Sequence, residues 1–581
     1  MKKDRLSLAA NLVTPFEKDA LTDCPYNIHP RPQMRRRDYM SLNGKWSLTI
    51  DGKKRRFSGD IIVPYPPESK LSGVMTPISP DEKLHYSRTF YLPENFAGKR
   101  IILHFDAVDQ VCKIYLNGIG IGVHVGGYLP FSFDITDLVR EGENKLSVIV
   151  RDPLDKTLPY GKQSSTPGGM WYPPVSGIWQ SVWLEAVPQI YVKSMRMTPS
   201  LDSVKITVDG GVSEKHMTIT TPCGVVEHSF SGNSTEITFD APRLWTPDDP
   251  YLYRFTLKCG YDEIESYFAL RTFGVTEVDG VSYLALNGKP CFLHGVLDQG
   301  YFSDGIFLPA TPEGYENDIL KMKACGFNML RKHIKLEPDV FYYYCDLHGI
   351  IVCQDMINNG EYSFIRDTAL PTLGIRRGIN RRSGKAERDT FIETSRGIIA
   401  HLYNHPSVCY YTIFNEGWGQ FEPDLVYEVL KAEDETRVYD TTSGWFKGEL
   451  SDVESDHVYF KPINLKRVDG RPMVLSEFGG YACKIEGHVF NPDRSYGYRK
   501  CATTEVLQED ILRLYRDEVL PHVKRGLSCA VLTQLSDVED EINGLLTYDR
   551  QVLKVDVWKM NEMARELYSV FSEASGGSGE V

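Results

Sequence analysis

Two glutamates stand where carboxylate chemistry is expected in this 581-residue chain. Glu416 follows the apolar run Tyr410-Tyr-Thr-Ile-Phe-Asn, and Glu477 follows Met473-Val-Leu-Ser. A carboxyl group delivered by the end of a buried strand sits in a partly desolvated place, where its protonation can be tuned. Two such groups facing one cavity at about 5–5.5 Å suit retaining glycoside hydrolysis, one as acid/base and the other as nucleophile through a covalent glycosyl-enzyme. Further polar or aromatic groups follow apolar runs in the same way. They are Asp298 and Gln299, Arg331 and His333, Asp355, Asn415, Trp445, Tyr459, and Gln534 with Asp537.

These residues need elements that bring them to one place. From Leu286-Asn-Gly-Lys-Pro onward, apolar runs alternate with helical patterns. Eight strands are expected, at Cys291–Val296, Phe327–Arg331, Gly349–Gln354, Val408–Phe414, Val438–Thr442, His457–Phe460, Pro472–Ser476 and Cys529–Leu532, with helices between most of them. Eight strand–helix units predict a (β/α)8 TIM barrel, whose active site lies at the C-terminal strand ends. All the residues named above stand at those ends.

Upstream the texture is all-β. Short alternating strands with turn signals such as Asn43-Gly44 and Asn117-Gly118 predict a jelly-roll β-sandwich, and a smaller set of strands after it predicts an immunoglobulin-like β-sandwich. The expected division is an N-terminal arm over 1–37, the jelly roll over 38–187, the second sandwich over 188–275, the barrel over 276–572, and a flexible tail over 573–581.

Composition excludes several function classes. A formal charge of −13 makes nucleic acid and anionic membrane poor partners. The run containing Arg31, Arg35, Arg36 and Arg37 is expected to be a solvated surface. Twelve cysteines are too few for a disulfide scaffold and lie largely in apolar runs, as buried free thiols do in a reducing compartment. No adequate signal or membrane-spanning segment is read, so a cytoplasmic protein is expected. Cys291 with His294, Cys345 with His348, and His401 with His405 have ligand-like spacings but no completing partners. No metal and no cofactor are expected.

The chain resembles glycoside hydrolase family 2, the β-galactosidase, β-glucuronidase and β-mannosidase family. The resemblance runs from about 40 to 570 and rests on Tyr86-Ser-Arg-Thr-Phe-Tyr-Leu-Pro, Val175-Ser-Gly-Ile-Trp-Gln, Leu286-Asn-Gly-Lys-Pro, Asn328-Met-Leu-Arg331, Asn404-His-Pro-Ser, Phe414-Asn-Glu416-Gly and Ser476-Glu477-Phe-Gly-Gly. It implies a sugar-binding-like jelly roll, an immunoglobulin-like domain and a catalytic barrel. It makes Glu416 the acid/base and Glu477 the nucleophile. It implies that Asn415 binds the sugar 2-hydroxyl, that Arg331 keeps the nucleophile ionised, and that Tyr459 donates to the nucleophile. A carbohydrate substrate and a homo-oligomeric assembly follow from the same resemblance.

The sugar is less sharply marked. Glucuronidases of the family carry Asn-x-Lys after the last strand, whereas this chain has Asn543 with no lysine two residues on, inside an acidic stretch from Glu539. The best-known β-galactosidases carry an acidic residue before the Met-Trp of a first-domain loop, and this chain reads Pro167-Gly-Gly-Met-Trp171. Trp171 itself is expected to reach the barrel mouth as a stacking surface. The expectation is a retaining exo-glycosidase of β-galactosidase type. The alternatives are a furanosidase for galactofuranose or arabinofuranose, a uronidase, or a carbohydrate-binding protein altered in its catalysis.

Overall fold

The computed structural model describes residues 12–53, 55–372 and 384–576. The first β-sandwich packs a four-stranded sheet, in the order Tyr39–Ser41, Val182–Val187, Arg100–Phe105 and Phe131–Asp134, on a six-stranded one. The inward positions of Gly44–Asp51 and Asn144–Arg151 alternate with exposed ones, and Trp46, Leu48, Leu146 and Val148 fill the core between the sheets. The second sandwich pairs sheets of three and four strands around Val204, Ile206, Met217, Phe255 and Phe268.

Eight parallel strands then form the barrel: β1 (Leu293–Asp298), β2 (Met329–Lys332), β3 (Ile351–Asp355), β4 (Val408–Asn415), β5 (Val438–Ser443), β6 (Glu454–Val458), β7 (Met473–Gly479) and β8 (Leu527–Thr533). Backbone ladders run in the order β5-β4-β3-β2-β1-β8-β7-β6. The seam between β5 and β6 is bridged by side chains, Ser455 Oγ donating to Asp440 Oδ1 at 2.9 Å and Ser443 Oγ meeting His457 Nε2 at 3.0 Å.

Strand alternation sorts the barrel core into two layers. Leu293, Met329, Ile351, Cys353, Val474 and Val531 point inward, while Val296, Leu330, Val352 and Leu475 meet the surrounding helices. A hairpin of Phe273–Val278 and Val281–Leu286 contributes Phe273, Leu284 and Leu286 to the inner layer. The helices start and stop on local chemistry. Thr503 caps Thr504–Leu514 and Asp556 caps Val557–Ala574 through their side-chain oxygens, and Gly349 at φ 69° ends Asp339–His348.

Four sequence expectations change. The sixth strand is Glu454–Val458 rather than 457–460, because Glu454, Ser455 and Asp456 are polar and hide the strand in the apolar pattern. The arm is no free extension: Thr14 binds Asp304 through both its amide and its hydroxyl, and Tyr26 donates to Pro309 O at 2.8 Å. Arg36 is buried rather than solvated, held by Asp262 and Glu185 at 2.7 and 2.9 Å. The last helix runs through Ala574, into the expected tail, whose residues 577–581 lie outside the described residues, as do 1–11 of the arm. All twelve cysteines are unpaired. Among the described residues no helix is long and apolar enough to cross a membrane.

Candidate active site

β4 delivers Glu416 and β7 delivers Glu477 to the same place. A carboxylate oxygen of each lies within 4.8 Å of the other's and of a ring nitrogen of His457. Glu416 leaves its strand in the left-handed region, at φ 53°, with its amide bonded to Ser443 O at 3.0 Å. A non-glycine residue in that region is strained and is found where the surrounding structure fixes it. The next residue must be glycine: Gly417 has φ 72°, and a Cβ there would stand 2.2 Å from the Phe446 ring.

Arg331, 1% exposed on β2, organises the floor. Its guanidinium donates to Glu477 Oε1 at 3.0 Å, Asn415 Oδ1 at 2.8 Å, Asp355 Oδ1 at 2.9 Å and the Ser476 carbonyl at 3.0 Å. One planar fork thus ties β2 to β3, β4 and β7, which a flexible ammonium cannot reproduce. Tyr459 donates to Glu477 Oε2 and meets Thr533 Oγ1 at 2.9 Å. His333 Nδ1 sits 2.7 Å from Asp355 Oδ2. Burial pushes Asp355 up, but the Arg331 and His333 contacts outweigh it and hold its carboxyl below the usual range. Burial raises Glu416, against opposing pulls from Lys162, His333 and Arg331. The two carboxyls therefore have different surroundings, one half-buried beside a neutral ring and the other gripped by a guanidinium and a phenol.

The walls are aromatic. Trp445 donates to the carbonyls of Asp367 and Glu416, both at 3.1 Å, and crosses the His457 ring at 5.6 Å. Trp171, from the first sandwich, packs on Tyr362 and Trp418 with ring centroids 4.9 and 5.0 Å away. Tyr172 beside it donates to Glu541 Oε2 at 2.5 Å, joining the first sandwich to the loop after β8 across 369 positions of sequence.

The structure brings together Glu416, Glu477, Asn415, Arg331, Tyr459, Asp355, His333, Trp445 and Trp171. Three expected lining residues do other work. Asp298 accepts from Lys332 Nζ at 2.5 Å and from the Gly300 amide at 2.8 Å. Asp537 faces Lys554 at 2.6 Å and the Gly544 amide at 2.8 Å, and burial pushes it up to about 6. Gln534 is held between Gln299 and Asn543 at 2.9 and 2.8 Å. Each follows an apolar strand, but its side chain holds a loop rather than reaching the carboxylate pair. Asp355 contacts the pair only through Arg331.

The sequence reading missed His457. His457 Nδ1 lies 2.9 Å from Glu416 Oε1 and 3.5 Å from Glu477 Oε2, and burial drives its pKa down to about 3, so the ring is neutral. Its signal was present: it stands two residues before Tyr459, and alternate strand residues face the same side. Gly444 makes room for it, since a Cβ there would come within 2.9 Å of the ring. Glu416, His457 and Glu477 are also the one group among the described residues whose donor atoms converge closely enough to hold a metal ion.

Comparison with known proteins agrees with this architecture domain by domain. Residues 64–188 match the glycosyl hydrolases family 2 sugar binding domain, 190–271 the model described as glycosyl hydrolases family 2, and 277–509 the glycosyl hydrolases family 2 TIM barrel domain. The chain belongs to glycosyl hydrolase family 2. Among its family 2 relatives, a β-galactosidase of Thermoanaerobacter pseudethanolicus is 30% identical over 299 residues, covering 47% of this chain and 39% of that protein. A β-glucuronidase of Bacteroides fragilis is 27% identical over 393 residues, covering 61% of this chain and 53% of that protein. The chain thus spans about half the length, or less, of these curated relatives. Solved structures share the fold. A β-glucuronidase from an uncultured Clostridium sp. superposes with a TM-score of 0.73 at 19% identity, over 92% of this chain and 99% of that one. A β-galacturonidase from Eisenbergiella tayi bound to galacturonate gives 0.68 at 20%, over 92% and 98%.

Proposed function

We propose that this family 2 chain is a retaining exo-glycosidase that removes a terminal sugar, of β-galactosidase type, by double displacement. The observation that carries the reading is the approach of Glu416 and Glu477 to within 4.8 Å, with opposite environments. That separation suits direct attack by a carboxylate and leaves less room than the wider spacing with which inverting enzymes admit a water.

In the first step a Glu477 oxygen attacks the anomeric carbon while Glu416, protonated, donates its proton to the departing glycosidic oxygen. In the second, Glu416 as carboxylate takes a proton from water, which attacks the same carbon and releases Glu477. Arg331 and Tyr459 each donate to one Glu477 oxygen and so fix its carboxylate plane. Asn415 Nδ2 is available to the 2-hydroxyl because the Asn415 carbonyl oxygen already accepts from Arg331. Trp171 and Tyr362 provide partly exposed apolar faces of the kind on which sugar rings stack, with Trp418 and Trp445 packed behind them. Trp171, from the first sandwich, packs on Tyr362 and Trp418, and such a wall supports an exo mode of action.

The test is a panel of p-nitrophenyl glycosides (β-galactopyranoside, β-glucuronide, β-galacturonide, β-mannoside, β-galactofuranoside and α-arabinofuranoside), followed by trapping with the matching 2-fluoro glycosyl fluoride. Turnover with a stable adduct on the peptide containing Glu477 is expected. Inversion of anomeric configuration in the first-formed product overturns the reading.

A further inference from the structure

Tyr459 stands one residue past the end of β6, whose last ladder pair joins Val458 to Phe478 on β7. Its hydroxyl donates to Glu477 Oε2 and meets Thr533 Oγ1 at 2.9 Å. Both contacts are at the tip of the side chain. Rotation about the bonds nearer the backbone would carry the hydroxyl away from Glu477. A third contact is with the ring face. Tyr498 lies against Tyr459 with centroids 4.1 Å apart and planes inclined by 31°. Tyr498 also meets Phe460 edge-on at 4.9 Å and Tyr496 at 5.9 Å, so one ring touches the other three.

Tyr498 comes from the excursion between β7 and the helix Thr504–Leu514. That excursion is tied at several points. Tyr481–Cys483 pairs in parallel with Arg499–Cys501, which closes the segment on itself. The Tyr498 amide donates to the Gly480 carbonyl at 3.0 Å, and the Gly480 amide donates to Thr533 O at 3.0 Å. Thr533 is the residue whose hydroxyl meets Tyr459, so the stacking ring and the hydroxyl it faces hang from one run of backbone bonds. Two residues earlier, the Tyr496 amide donates to Asp540 O at 2.6 Å and its carbonyl accepts from the Ile542 amide at 3.1 Å. The approach of the ring needs glycine at 480, where φ is 71° and a Cβ would stand 2.2 Å from the Tyr498 ring.

We propose that Tyr498 is a positioning residue for the nucleophile, acting through Tyr459. It holds the Tyr459 ring at the angle from which the hydroxyl reaches Glu477 Oε2, while Arg331 holds Oε1. Without the ring, Tyr459 is free to turn and Oε2 loses its donor. Glu477 then keeps its Arg331 contact but loses the second point that fixes its carboxylate plane for attack. The inference rests on the glycosidase reading for the consequence of that loss, and on the ring geometry for the positioning itself.

Steady-state kinetics of the full chain, on the glycoside that the panel identifies, compare wild type, Tyr498→Leu, Tyr498→Phe, Tyr459→Phe and the double variant Tyr459→Phe/Tyr498→Leu. Tyr498→Leu should lower kcat about 10–100-fold with KM little changed. Tyr498→Phe should recover most of that loss, because it keeps the ring. In the Tyr459→Phe background no hydroxyl remains to be placed, so Tyr498→Leu should cost less than about twofold. Additive losses overturn the proposal. So does a fall confined to KM, which would make Tyr498 a substrate contact, or an equal loss in Tyr498→Phe, which would assign the effect to its hydroxyl. A crystal structure of Tyr498→Leu reads the positioning without turnover: the Tyr459 hydroxyl should leave Glu477, and finding it on Oε2 as before overturns the proposal. If Tyr498→Leu does not fold, Gly480→Ala takes its place in the cycle and in the crystal, because the added methyl displaces the same ring, and Tyr498→Phe still separates ring from hydroxyl. If wild type hydrolyses no glycoside of the panel while the crystal shows Tyr459 displaced, the positioning stands and the hydrolase reading falls. If a glycoside is hydrolysed and the losses add, the hydrolase reading stands and the positioning falls.

Discussion

His457 and Glu477 are paired residues on adjacent parallel strands, and the His457 ring reaches from that register to Glu416. Its tautomer follows from its neighbours. Nε2 faces the Arg331 guanidinium at 3.5 Å, which can only donate, and the Ser443 hydroxyl at 3.0 Å. Nε2 is therefore assigned as the acceptor and Nδ1 as the N–H that points at Glu416 Oε1. Oε2 is then left to exchange the proton with the leaving group. An N–H donated to a carboxylate favours its ionised form, so replacing His457 with Phe should raise the pKa of Glu416 and move the alkaline limb of kcat/KM to higher pH. The rate should fall about 10- to 100-fold through lost orientation, and Asn at this position should recover part of it. A pH–rate profile of the two variants checks this; an unshifted alkaline limb removes His457 from the acid/base machinery.

The pair itself makes an asymmetric prediction. Glu477→Gln should abolish turnover of every substrate, because no nucleophile remains. Glu416→Gln should cost about 10²–10⁴-fold on glycosides with poor leaving groups and much less on dinitrophenyl glycosides, which need no proton. Equal loss across leaving groups would count against Glu416 as the acid.

Arg331 should behave as a charge that no other residue replaces. Arg331→Ala is expected to lower kcat about 10²–10³-fold, with the fold retained. It should also destabilise the chain by about 3–5 kcal/mol, because Asp355 and Glu477 lose a buried partner. Arg331→Lys should rescue little, since the fork that spans Asp355, Asn415 and Glu477 is lost. Steady-state kinetics with urea unfolding separates the two effects, and an unchanged kcat would remove Arg331 from the site.

Buried neutral histidines set an acid limit on stability. His457 is pushed down to about 3 and His294 to about 4, the latter by burial between Gly326 O and the Tyr515 hydroxyl. Both titrate near 6.5 when unfolded, so between about 6.5 and 4 the unfolded chain binds more protons than the native one. Stability then rises with pH across that window and falls on acidification, by about 1.4 kcal/mol per pH unit for each proton. Urea midpoints from pH 7 to 4.5 should decline accordingly, and His294→Gln should flatten the slope. Glu68 and Asp106, which burial raises to about 8 and about 7, act in the opposite sense, so the comparison with His294→Gln decides: an unchanged slope in that variant would show that the His294 ring is charged in the native state.

Much of this site was legible in the chain because it depends on local pattern. An apolar run of strand length followed by a carboxylate places Glu416 and Glu477 at strand ends without any knowledge of what lies opposite. The same logic located Arg331, Asn415, Tyr459 and Trp445. It also misplaced Asp298, Gln534 and Asp537, because strand-end position fixes where the backbone arrives and not which neighbour the side chain meets. Lys332 and Lys554 are the neighbours that Asp298 and Asp537 meet.

Other features exist only in three dimensions. Trp171 is expected at the barrel mouth from the sequence, but what it and Tyr172 meet there is not written in the texture of their β-sandwich loop. They join the site because the first sandwich packs over the strand ends and Tyr172 meets Glu541. His457 shares its face with Tyr459, but which neighbours its ring meets depends on the pairing of β6 with β7. Short-range patterning by itself determined the three-part architecture and the two carboxylates. The packing of the first sandwich on the barrel, and the register of β6 beside β7, decided what surrounds those carboxylates, because contacts between distant segments are fixed by how whole surfaces fit together rather than by any local run of residues.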